Sequence, residues 1–161
     1  MHKITINIPL LFSLLFIFCS FHSLAEQPLE LFWEDMIPKN YQAPDVELSH
    51  DGSMMQLGVN APVVESLNGK LVKIPGFIVP LEGDNSATTE FLLVPYFGAC
   101  IHVPPPPANQ IVYVKFAKGV PIDTIQDAVW ITGTLTTHGW QGDVATVGYS
   151  LAGIQMNPYD G

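Results

Sequence analysis

Sulfur and imidazole stand two residues apart in Phe97-Gly98-Ala99-Cys100-Ile101-His102-Val103, which runs straight into Pro104-Pro105-Pro106-Pro107 and then Ala108-Asn109-Gln110. A thiolate and an imidazole are both good ligands for zinc or copper. An imidazolium beside a thiol also lowers its pKa and makes it a nucleophile. If Ala99 to Val103 is extended, side chains alternate with period two, so Cys100 and His102 share one face while Ile101 and Val103 take the other. The four prolines fix the following backbone near polyproline II and remove four amide donors, so the segment is stiff without ladder bonds.

A metal site needs more donors than two. His138 is the expected third, because it follows the predicted strand Val129 to Thr137, and loops ending barrel strands converge on one mouth. His50 with Met54 and Met55 is an alternative soft-donor group suited to copper(I), and Asp143 or Asp127 offers a carboxylate. Three readings stay open for Cys100 and His102. They form a zinc or copper half-site, or a thiol nucleophile with its base in an enzyme or redox protein, or a buried thiol and a satisfied imidazole in a purely structural interaction module.

The chain start bears on which reading applies. Met1-His2-Lys3 precedes an apolar run from Ile4 to Phe21, and Ser23-Leu24-Ala25 ends in small residues before Glu26. That is the pattern of a cleaved secretory signal, predicted over residues 1–25, with a periplasmic destination. Bulky Phe18 before Cys19 argues against lipid attachment, so membrane association is expected only if the signal stays uncleaved or a lipid is added. Cleavage removes Cys19 and leaves Cys100 without an internal disulfide partner.

The 161 residues carry 6 Lys, no Arg and 15 acids, a formal net charge of −9. Such a chain lacks the cations that grip phosphates, which excludes a nucleic-acid partner. Leu29, Phe32, Trp33 and Met36 recur at helical spacing and Pro38 closes the segment, so a short amphipathic helix is predicted, followed by an irregular linker to residue 60. From Pro62 the texture is that of strands. Val63 to Leu67 and Lys70 to Ile74 flank Asn68-Gly69 as a predicted type I′ hairpin. Pro75-Gly76 marks a bend that lets one long strand, continued by Phe77 to Leu81, serve two sides of a barrel. Further strands are expected at Glu90 to Pro95, Gln110 to Phe116, Val129 to Thr137 and Val144 to Met156, the last kinked at Gly148 and Gly153. The predicted organisation is a signal over 1–25, helix and linker over 26–60, and a mainly β, five-stranded OB-like barrel over 61–161.

The stretch Phe97 to Gln110 resembles the hallmark of the exported bacterial proteins grouped as domain of unknown function 3299, and Gly69 to Glu82 and Phe32 to Pro38 are similar to other recurring segments of that family. The resemblance implies an OB-like barrel in the periplasm or on a lipid anchor, and gene neighbourhoods that in some relatives include an ABC-type transport system linked to zinc supply. It brings no established catalytic residues. The expected function is therefore that of a periplasmic accessory protein, binding zinc or copper through Cys100, His102 and His138, or serving an ABC-type transporter component or another envelope protein.

Overall fold

The computed structural model describes residues 26–43, 55–100, 103, 105–121, 123, 125 and 126–160. The predicted signal (1–25), the linker stretch 44–54 and His102 lie outside the described residues. Among those described, no helix is long and apolar enough to cross a membrane.

The described residues form eight strands: β1 (Leu29–Glu30), β2 (Leu71–Gly83), β3 (Ala87–Val94), β4 (Val112–Pro121), β5 (Val129–Thr136), β6 (Trp140–Gln141), β7 (Thr146–Val147) and β8 (Tyr149–Pro158). Five of them close a ring in the order β2-β3-β4-β8-β5 and back to β2. Every pairing in the ring is antiparallel except β4 with β8. Closure depends on β2 changing partners: Leu71 to Gly76 pair with β5, and from Phe77 onward the strand pairs with β3. A Cβ at Gly76 would lie 2.7 Å from the Val94 carbonyl, so only glycine lets the two strands meet at this corner. The expected barrel, with its shared long strand, is the fold observed.

The period-two alternation of the strands sorts apolar side chains onto two surfaces. Val72, Ile74, Ile78, Phe91, Leu93, Val114, Ile131, Leu135, Tyr149 and Leu151 fill the barrel interior. Their neighbours Val79, Leu92, Val94 and Tyr113 point outward, yet are also buried, together with Ala99, Ile111, Ala145 and Val147. Loops therefore roof one outer wall of the barrel.

Two local expectations change. Trp33–Met36 is a single 3-10 turn, and Leu29–Glu30 is instead a strand parallel to Val72–Lys73. With Leu29 drawn into the sheet and Pro38 following, too few residues remain to nucleate an α-helix. The turn still buries its apolar side: Leu31 and Met36 join the barrel interior and Trp33 packs against it. Asn68-Gly69 does not join a hairpin. Glu65–Leu67 is a 3-10 turn, and Asn68 (φ −59°, ψ 129°) with Gly69 (φ 77°) makes a type II turn closed by Lys70 N–H to Leu67 O at 3.2 Å. The arm that follows pairs with β5, not with the residues before the turn.

Candidate functional site

β3 ends at Val94, and the chain then turns twice before β4 begins at Val112. Gly98 (φ 81°) and Cys100 (φ 66°) are both left-handed, and Cys100 is the one non-glycine residue with positive φ among the described residues. For a residue with a Cβ this conformation costs about 1–2 kcal/mol, so the surroundings must impose it. The extended reading of Ala99 to Val103 fails at this residue. A left-handed backbone breaks the period-two alternation, so spacing alone no longer brings Cys100 and His102 to one face.

Cys100 is half-buried against the roofed outer wall, in contact with the cluster that contains Val79, Val94, Ala99 and Val147. Burial pushes its thiol up to about 11. At neutral pH the sulfur is therefore a thiol, whereas nucleophilic cysteines are depressed below their ordinary value. Above it stand exposed apolar side chains: Phe97 is 61% exposed, Tyr96 43% and Val103 41%. Phe97 leans on Phe77 edge-on, with centroids 5.9 Å apart. No Asp, Glu, Lys or Arg occurs between Phe91 and Val114, so this tip is uncharged in an otherwise acidic chain.

The prolines and the Ala-Asn-Gln that follow do different work. Pro107 adopts φ −53° and ψ 152°, the polyproline conformation expected. The Pro106 carbonyl accepts from Gln56 Nε2 at 2.8 Å, Ala108 N–H donates to Gly58 O at 3.1 Å, and Gly148 N–H donates to Ala108 O at 2.6 Å. Asn109, fully buried, donates to Pro62 O at 2.9 Å, and Gln110 Nε2 donates to Trp33 O at 2.7 Å. The motif's second half thus clamps three separate stretches of the N-terminal wrap onto the barrel. Gln56 is part of this clamp, and nothing in the hydrophobic pattern around it marks it out.

Of the other predicted donors, His138 is exposed and its main-chain carbonyl accepts from Ser150 Oγ at 2.8 Å. It lies in the loop after β5, two residues before Trp140, whose ring shares the cluster of Cys100. Asp127 and Asp143 are exposed, as is Met55, while His50 and Met54 lie outside the described residues. Among the described residues no group of three or more His, Cys, Asp or Glu side chains is placed to hold a metal.

A shallow groove of about 330 Å³ runs along the barrel wall beside β4 and β8, with Tyr113, Lys115, Thr134, Thr136 and Ser150 in its lining. Lys115 Nζ lies 3.0 Å from Glu90 Oε1, and the Tyr113 hydroxyl donates to the other oxygen of the same carboxylate. The Tyr113 bond and then Lys115 hold the Glu90 carboxyl below the ordinary range, while burial pushes the Tyr113 phenol up. The charges of the groove are thus spent on each other.

A closed ring of five strands with one parallel pairing, a clamped N-terminal wrap and a proline-braced apolar tip defines an OB-like β-barrel protein. The chain belongs to the DUF3299 family: the model described as "Protein of unknown function (DUF3299)" matches residues 33–158. It is similar to a DUF3299 family protein from Pseudomonas aeruginosa PAO1, whose crystal structure at 2.45 Å resolution shares 44% sequence identity with it. The TM-score is 0.76, and the match covers 84% of this chain and 98% of that one. No curated protein matches the chain.

Proposed function

We propose that this is a periplasmic accessory protein that works by contact, presenting the Tyr96 to Val103 tip to a component of the cell envelope such as a subunit of a metal-linked ABC-type transporter. The observation that supports the reading is the tip itself. Phe97, Tyr96 and Val103 stand exposed, within a stretch free of Asp, Glu, Lys and Arg. Exposed apolar groups grouped in this way favour association. The signal pattern of residues 1–25 supports export, and is tested by finding whether the protein released from the periplasm begins at Glu26. The docking surface is tested by placing a photo-crosslinking residue at position 97 and, as control, at exposed Thr134 of β5. Adducts at 97 that are absent at 134 support the reading; equal adducts at both positions, or none, refute it.

A second reading keeps Cys100 and His102 as ligands for zinc or copper, with His138 as third donor. What favours it is the imposed left-handed backbone at Cys100, since strain of this kind gathers at ligand sites. Zinc titration read by native mass spectrometry decides. One bound ion that is lost in Cys100→Ser supports the site, and binding unchanged by that substitution removes it. The enzyme alternative, Cys100 as nucleophile with His102 as base, calls for rapid alkylation at neutral pH, and a thiol raised to about 11 speaks against that.

A further inference from the structure

The roof over the outer wall of the barrel has two parts, and one of them, the β6–β7 hairpin, is attached in an unusual way. It forms a two-stranded sheet of its own and adds no pairing to the barrel ring. Gly142 N–H donates to Ala145 O at 3.1 Å to close its turn. Its underside is apolar: Ala145 and Val147 are buried, and the Trp140 indole lies flat on the Tyr113 ring, 4.5 Å between centroids and 2° from parallel. Beneath are Val79, Leu92 and Val94, which belong to a hydrophobic cluster separate from the barrel interior.

Both ends of the hairpin are anchored. Thr137 donates through N–H to Asn68 Oδ1 at 3.1 Å and through its hydroxyl to Glu65 Oε2 at 2.8 Å. Tyr149 is fully buried, and its hydroxyl donates to Met36 O at 2.9 Å. Between these anchors one side chain reaches across from the wrap. Gln56 Nε2 donates to Thr146 O at 2.7 Å, and Thr146 N–H donates back to Gln56 Oε1 at 2.7 Å, as a strand neighbour would. The same Nε2 also holds the Pro106 carbonyl. From this arrangement we infer that the β6–β7 hairpin is a hinged cover latched by Gln56, which opens over the outer wall while the five-stranded ring stays closed. Lifting it costs the Gln56 bonds, the Trp140 stack, the burial of Ala145 and Val147 and part of the cover over Val79, Leu92 and Val94, while opening the ring costs the whole interior. The cover is a property of the fold and stands or falls apart from the docking role of the Phe97 tip.

Native-state hydrogen exchange of the full chain in low urea tests it, with Gln56→Ala alongside. Amides of residues 140–147, Thr146 aside because the substitution removes its acceptor, are expected to exchange faster than those of β2 and β5 and with a shallower urea dependence. In Gln56→Ala they should exchange about tenfold to a hundredfold faster, with β2 and β5 unchanged. The inference is overturned if hairpin and barrel amides share one rate and one urea slope, if the substitution speeds both alike, or if it alters neither. Should Gln56→Ala fail to fold, Ala145→Cys in a Cys19→Ser, Cys100→Ser background replaces it: labelling in low urea with a shallow slope supports the cover, and labelling only through global unfolding ends it.

Discussion

Two neighbouring halves of one motif behave in opposite ways. From Pro105 to Gln110 the chain is drawn inward, with Ala108 and Asn109 buried and main-chain or side-chain groups bonded to Gln56, Gly58, Pro62, Trp33 and Gly148. Before the prolines, Tyr96, Phe97 and Val103 leave apolar side chains exposed around the buried Ala99, and Cys100 holds a conformation that cysteine disfavours. The difference teaches that the proline run is a boundary. Its far side invests in holding the fold together, and its near side is held in a shape the fold itself does not require.

If that division is right, substitutions should separate cleanly along it. The largest effect is expected for Asn109→Ala, which empties a fully buried site and removes its bond to the Pro62 carbonyl, and should cost about 2–3 kcal/mol in urea unfolding. A loss no greater than that of an average surface substitution would dissolve the clamp. Gln110→Ala removes the tie to the Trp33 carbonyl and should cost about 1–2 kcal/mol by the same measurement. Alkaline titration probes the tip. Cys100 holds its proton up to about 11 in the fold but loses it near 9 when unfolded, so the unfolded state binds fewer protons between those values. Stability should therefore be full below about 9 and decline as pH rises toward about 11, with this component absent in Cys100→Ser. The smallest effect belongs to Phe97→Ser, which forfeits the edge contact with Phe77 and should change stability by less than about 1 kcal/mol. A larger loss would make Phe97 part of the fold and not of a docking surface.

The barrel was legible because its decisive devices are local. Pro75-Gly76 inside an apolar run announces a corner, and Gly153 falls where the register of the last strand shifts, whereas Gly148, expected as a kink within one strand from Val144, separates β7 from β8. Where the reading went astray, a distant partner had decided the conformation. Asn68-Gly69 suits a type I′ turn, but Gly69 N–H donates to Leu135 O and the arm beyond pairs with β5, so another turn forms. Leu29 fits a helical stripe until Val72 offers it a strand. At the tip a left-handed residue interrupts the alternation that the spacing predicts, and no neighbour in sequence signals that Cys100 takes the role of a glycine. Gln56 has no local signal for the plainest reason: a glutamine between Met55 and Leu57 looks the same in sequence whether it faces water or bridges two loops.

The parallel alignment of β4 with β8 has an implication for how the molecule comes into being. Val112 to Phe116 lack their second neighbour until Tyr149 to Gly153 have arrived, and Val129 to Thr136 wait for Ser150 to Pro158. A nascent or threading chain missing its last dozen residues therefore carries two bare strand margins, open to strangers, and seals them only when its own tail slides in between.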